Sequence, residues 1–197
     1  MTENHICVIL NNSQANGLAM QIKNTKTRFG IVTITLHWLM AILIIGLLCL
    51  GLYMTRIPIS ELKLRLFGFH KEYGMLVLML AIVRLVWRLD NVNPSLSSLA
   101  PWEQMAARGM HWAFYGFMFA IPITGWLITS AAGLPVSFFD LFLLPDLVAA
   151  NEAHRILFQT IHKWLSYGLI VAFCGHVGAA LKHQFINRDD ILRRMFP

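Results

Sequence analysis

The stretch Ile161-His162-Lys163-Trp164, running on through Cys174-Gly175-His176 to Leu181, decides how the chain is read. It is apolar, long enough to cross a bilayer, and carries the two histidines His162 and His176. In an α-helix, at about 100° per step, the interval between them falls about 40° short of four full turns, so the two share a face. They stand roughly 21 Å apart along the axis, most of the roughly 30 Å of a bilayer core. One helix thus offers an imidazole near each membrane surface, and the rest of the chain is read as what those imidazoles need.

Of the 197 residues, 57% are hydrophobic and 13% charged, about half the charged fraction of a soluble domain. This is the composition of an integral membrane protein. Apolar runs at Ile34–Met54, Leu66–Trp87, Met110–Ala131 and Ile156–Lys182 predict four spans, and hence an all-α, four-helix transmembrane bundle. Between the first two lies a connection over Thr55–Glu72. Asp90–Trp102, rich in Asn, Ser and Pro, reads as a loop. The longest connection, Ala132–Arg155, holds an apolar patch at Phe138–Leu144 that is too short to span and suits the membrane interface.

The net charge of +6 could suggest nucleic acid. The basic residues, however, flank the apolar runs as lipid anchors do, which argues for membrane lipid and no nucleic acid. Arg88, Arg108 and Lys182 read as snorkelling anchors. Cys7, Cys49 and Cys174 show no metal-site spacing, and no C-x-x-C-H occurs. Cys49 and Cys174, inside apolar runs, read as small packing residues. Residues 1–26 are expected to be a polar N-terminal extension, disordered or upstream of the true start, with Met20 as an alternative start; 27–197 form the transmembrane domain. The N-terminus lacks the basic and long apolar regions of a cleaved signal.

Four spans put both termini on one side. That side and the middle loop hold ten Lys and Arg residues against six opposite, so the positive-inside rule places both termini in the cytoplasm. His37 then begins span one near the inner surface. His70 and His162 begin spans two and four near the outer surface, and His176 lies one core depth further in. Two layers result, His70 with His162 outside and His37 with His176 inside, each pairing span four with a different helix. Two opposed imidazoles suit one flat cofactor between them, and bis-histidine haem is the candidate. Arg84 follows His70 at the same interval that separates His162 from His176. It therefore shares the His70 face at the inner layer, where a charge needs a partner such as a haem propionate. Gly51 stands at that interval after His37, and Gly125 at that interval after His111; both leave room for a ring at the outer layer. His111 finds no partner at its own depth and reads, with His183, as interfacial or as a propionate neighbour. A metal carrier is the rival reading, although such sites want carboxylates or thiolates beside histidine, and Glu72 is the one acid in the four spans.

Several segments together resemble the prokaryotic cytochrome b561 family: Thr35-Leu36-His37-Trp38-Leu39; Gly68-Phe69-His70-Lys71-Glu72-Tyr73-Gly74 with Arg84-Leu85-Val86-Trp87-Arg88; Ile121-Pro122-Ile123-Thr124-Gly125; Ile161-His162 with Gly175-His176-Val177-Gly178-Ala179-Ala180-Leu181-Lys182-His183; and Asp190-Ile191-Leu192-Arg193-Arg194-Met195. The resemblance covers about Thr27 to Pro197. It implies a bacterial inner-membrane protein with two haems b, ligated axially by His37, His70, His162 and His176, serving a respiratory chain. It also implies ubiquinone as redox partner and, from one family member, superoxide as electron donor, making the chain a superoxide:ubiquinone oxidoreductase. The alternative it leaves open is an electron-transfer subunit fed by a dehydrogenase or hydrogenase partner. Under the first reading, Lys63, Arg65, Lys71, Arg155 and Lys163, beside His154, form a positive funnel on the outer face. No catalytic acid or base is assigned, and the apolar patch Phe138–Leu144 with Trp126 is the stretch offered for the quinone.

Overall fold

The computed structural model describes residues 21–97 and 99–196. Residues 1–20, with His5, Cys7 and Met20, lie outside the described residues, as does most of the expected N-terminal extension. Four helices dominate: α1 Ile31–Met54, α2 Glu61–Asp90, α3 Pro101–Ala131 and α4 Glu152–Lys182. Each is long and apolar enough to cross a membrane. A π-helical turn, His183–Asn187, and a 3₁₀ turn, Arg193–Met195, follow α4.

Every expected span is present, and every helix starts earlier than its apolar run. The main cause is capping, which hydropathy does not register. Ser60 accepts from the Lys63 amide at 3.2 Å and Glu61 occupies the first turn of α2, satisfying orphan donors and complementing the helix dipole. The expected connection Thr55–Glu72 therefore shrinks to Thr55–Ser60. Asn151 does the same for α4 through the His154 amide at 3.0 Å. Pro101 opens α3 at a position that suits proline, so the loop expected over Asp90–Trp102 ends at Ala100.

Helix α3 stops at a left-handed glycine, Gly133 with φ 68°. The Gly133 amide bonds Ser130 O at 2.9 Å and the Leu134 amide bonds Thr129 O at 3.1 Å, the Schellman pattern. The chain then makes an antiparallel hairpin, β1 Val136–Phe138 with β2 Phe142–Leu144. The apolar patch assigned above to an interfacial segment thus forms one arm and the turn of this hairpin. Val136 is buried against Met75 and Leu78, Trp126 Nε1 donates to Pro145 O at 3.0 Å, and Leu141, Phe142 and Leu143 remain exposed.

Between the two ends, Met40, Val77, Ala81, Tyr115 and Met118 form the core. Ala81 is fully buried; its small side chain lets α1, α2 and α3 approach closely, the means by which membrane helices associate. Helix α4 adds one buried residue, Leu169. Large apolar side chains such as Ile42, Val83 and Val171 point outward, toward lipid. Cys49 and Cys174 are exposed as well, so they are not the packing residues their apolar context suggested.

The end opposite the hairpin, called the terminal face below, is a stapled plate. Ser95 N donates to Lys26 O at 2.9 Å, Arg194 Nη1 to Ser95 O at 2.9 Å, and Trp38 Nε1 to Met195 O at 2.8 Å. Asn24 Oδ1 accepts from the Gly30 amide at 2.9 Å and from Thr33 Oγ1 at 2.7 Å.

Candidate functional site

The interval between His162 and His176 on α4 does what helical geometry requires: the two face the same neighbours at two depths. The His70 and His162 ring centroids lie 6.2 Å apart with planes at 69°. Those of His37 and His176 lie 6.3 Å apart at 61°. The layer toward the hairpin is called outer and that toward the terminal face inner.

In the outer layer His162 is held from behind. Its Nδ1–H donates to Ile121 O at 3.0 Å, and Thr124 Oγ1 sits 3.1 Å from the same nitrogen while donating to Ile121 O at 2.8 Å. A proton fixed on Nδ1 leaves Nε2 with a free lone pair, the arrangement that ligating histidines adopt. Opposite, His70 Nδ1 is buried and has no hydrogen-bond partner among the described residues. The two glycines lie where expected, and the rings they admit are the imidazoles themselves. A Cβ at Gly51 would meet His70 Cε1 at 3.3 Å, and one at Gly125 would meet His162 Cε1 at 3.4 Å. Thr124→Val is expected to weaken the outer site about ten-fold, in the usual range for losing a partner behind a ligand. Haem retained after extended washing of the purified protein measures it.

The inner layer is more crowded. Arg84 Nη2 donates to His37 Nδ1 at 3.2 Å, and Phe114 lies 5.2 Å from His176. His111, without a partner in the two-layer scheme read from sequence, stands 6.2 Å from His176 at 67°. That nearly equals the His37 separation, so distance alone does not rank the two at this layer. Among the described residues Arg84 makes no ion pair with a carboxylate. A guanidinium at that depth calls for an anion from outside the chain. Such an anion would also draw Arg84 off His37 Nδ1, letting that nitrogen carry the proton and freeing Nε2.

Haem fits this geometry. Two imidazoles bound in line to one metal, each through a nitrogen about 2 Å away, have centroids roughly 6 Å apart. Both layers meet that spacing. The donors are imidazoles, glycines clear the outer pair, and a guanidinium without a carboxylate partner stands at the inner one, where a propionate would meet it. Among the described residues no group of three or more His, Cys, Asp and Glu converges to hold a bare metal ion.

The match to known proteins agrees. Residues 28–197 match the family described as prokaryotic cytochrome b561. The chain belongs to that family. Cytochrome b561 homolog 2 of Escherichia coli (strain K12) is 36% identical over 178 residues, covering 89% of this chain and 95% of that protein. Cytochrome b561 homolog 1 of the same organism is 32% identical over 130 residues, covering 65% and 73%. A protein of Yersinia pestis named probable superoxide oxidase CybB is 25% identical over 181 residues, covering 86% and 96%. Membership in the cytochrome b561 family makes the chain a multi-pass membrane protein of electron transfer and implies b-type haem. When bound, haem supplies one-electron chemistry, with axial ligation and the surrounding charges setting its potential.

Other expectations for this cytochrome b561 chain change in detail. His183 is buried, and its Nδ1 lies 2.6 Å from Asp189 Oδ2. Lys182 pairs with Glu103 at 2.8 Å, tying the end of α4 to the start of α3. The Arg88 guanidinium lies over the rings of Trp112 and Tyr115 at 5.9 and 5.6 Å. The outer basic set is smaller than it reads in the sequence, because Arg65 pairs with Glu61 and Arg155 with Glu152, each at 2.6 Å. Lys63, Lys71 and Lys163 make no ion pair among the described residues. The backing of His162 by Thr124 and the Ile121 carbonyl is a tertiary contact. Its signal in sequence is the Ile121-Pro122-Ile123-Thr124-Gly125 segment, which spacing alone gives no role.

Proposed function

We propose that the chain holds two haems b, one between His70 and His162 and one between His37 and His176, and carries electrons from superoxide at the hairpin face to ubiquinone. The observation that carries this is the double pairing of α4, one imidazole opposed at each depth by a different helix at nearly the same spacing. The Yersinia pestis relative named as a probable superoxide oxidase supports the donor. The surplus of basic residues on the terminal side supports placing both termini in the cytoplasm of a bacterial inner-membrane protein.

The chain's own residues have limited but definite tasks. Superoxide gives up one electron and leaves as O2, so no acid or base is needed at that step. Lys63, Lys71 and Lys163 raise its local concentration by attraction. His70 with His162, and His37 with His176, would hold the haems from both sides and so confine the chemistry to electron transfer. Ile121 and Thr124 fix one imidazole, and Arg84 would neutralise a propionate at the inner site.

Anaerobic mixing of the haem-loaded, detergent-purified protein with superoxide, followed in the visible α-band, tests this. Rapid reduction of two haems per chain, then reoxidation by ubiquinone, is expected. Haems that ignore superoxide yet exchange electrons with quinone would make the chain a subunit fed by a dehydrogenase partner. Replacing Lys71 and Lys163 together by Glu should slow the superoxide step several-fold at low ionic strength and much less at high. Equal rates at low salt would remove the funnel.

A further inference from the structure

Three imidazoles meet at the inner layer, where two suffice to ligate one haem. His37 and His111 stand almost equally far from His176, 6.3 and 6.2 Å between ring centroids. They come from helices that stand in different relations to α4. A flat macrocycle between two imidazoles needs helices that are held apart. Among the described residues α4 packs along α3 and makes no comparable packing with α1 or α2. The room in front of His176 therefore lies toward His37 on α1, as that in front of His162 lies toward His70 on α2. His111 stands at the packed seam of α3 with α4.

That seam is antiparallel and keeps its register between the two layers. A Cβ at Gly125 would meet the His162 ring at 3.4 Å, and His111 lies as far before Gly125 on α3 as His176 lies beyond His162 on α4. At the outer end α3 backs the α4 imidazole with the Ile121 carbonyl, 3.0 Å from Nδ1, and with Thr124. At the inner end it sets two rings against His176, Phe114 at 5.2 Å and His111 at 6.2 Å. Of these two, His111 is the one with a nitrogen that can accept a hydrogen bond. At that separation the facing edges of two imidazoles bring their nearest nitrogens to about 4 Å, the reach of one bridging water. The Ala107 carbonyl, one turn back on α3, favours a proton on one His111 nitrogen and leaves the other to accept.

We infer that His111 is the positioning residue behind the inner α4 ligand: it accepts a hydrogen bond from His176 Nδ1–H through one water, as the Ile121 carbonyl accepts that of His162 directly. The inference rests on the proposed haem between His37 and His176. Helix α3, which supplies no axial ligand, then fixes both imidazoles of α4. A hydrogen bond from Nδ1–H makes the ring more basic toward iron, which favours the oxidised metal and lowers the potential. Arg84, on the His37 side, acts in the opposite sense through its charge. The inner potential is thus set between a cation behind one imidazole and an acceptor behind the other.

A redox titration of the α-band on the haem-loaded, detergent-purified protein tests this, the inner centre being the one that His162→Ala retains. His111→Phe keeps a ring at the seam and removes the acceptor. It should raise the inner midpoint by the equivalent of a ten-fold change in the redox equilibrium, about 59 mV for one electron. Two haems per chain and an unmoved outer midpoint should accompany that shift. His111→Gln restores an acceptor and should hold the inner midpoint close to wild type. If His111→Phe yields no haem protein, His111→Leu is read in the same way. An inner midpoint that stays put without the acceptor, or that moves as far with Gln as with Phe, overturns the role. So does a His37→Ala protein that keeps both haems, since His111 would then be the ligand itself. A wild type with one haem per chain defeats the two-haem reading instead, and the inference with it.

Discussion

His162→Ala should halve the haem-to-protein ratio, from about two to about one, and leave the spectrum of the remaining haem intact. Among the described residues the outer layer has two imidazoles, His70 and His162, and no third within reach. Of these, His162 is the one whose tautomer and direction are set in advance, by the Ile121 carbonyl and Thr124. Among the described residues His70 has no hydrogen-bond partner on Nδ1, so losing His162 removes the member of the pair that is oriented in advance. The inner layer should survive, because His37, His111 and His176 belong to it and Arg84 remains. A pyridine haemochrome assay against protein concentration reads the result. An unchanged ratio would remove His162 from the ligand set. Gly125→Leu offers a second route to the same outcome, since even a Cβ there would press on the His162 ring at 3.4 Å. If alanine merely unfolded the chain both haems would go, and that pattern differs from the one expected.

Arg84→Met should lower the midpoint potential of the inner haem. The oxidised haem carries one more positive charge than the reduced, so a nearby cation disfavours oxidation, and removing it shifts the balance back. At an effective dielectric near 20, a unit charge about 8 Å away contributes about 2 kcal/mol, equivalent to roughly 90 mV for one electron. Pairing with a propionate would reduce this to tens of millivolts. Arg84→Lys keeps the charge and should hold the potential close to wild type while losing the planar fork. A redox titration of the α-band resolves the two centres. A pair of potentials unmoved by Arg84→Met would separate this guanidinium from the haem.

Much of this arrangement is legible in the sequence. The two-layer scheme depends on helical periodicity together with the alternating direction of the four spans, which is why the pairing of His162 with His70 and of His176 with His37 can be read from the sequence. The placement of Gly51 and Gly125 follows from the same arithmetic. What escapes is tertiary or capped. His111 reads as the start of its span because the apolar run begins there, yet α3 opens well before it, at Pro101. The histidine therefore sits about 15 Å along the helix, level with His176. The hairpin is hidden because a short apolar run looks alike in a strand, a buried turn or an interfacial segment. The contact of Trp38 with Met195 is invisible because its two residues lie far apart in the chain.

The sharing of α4 between both layers has a consequence for which length changes this family tolerates. The connection Thr55–Ser60 joins helices that each supply one imidazole, and it can gain or lose a residue without disturbing either pairing. A single insertion between His162 and His176 cannot be absorbed so easily. It would turn everything beyond it by about 100° and advance it about 1.5 Å, carrying one imidazole off the shared face. Sequence drift is open to the residues between these histidines, whereas their number is frozen, and indels in descendants of this gene should collect in the connections and leave that interval intact.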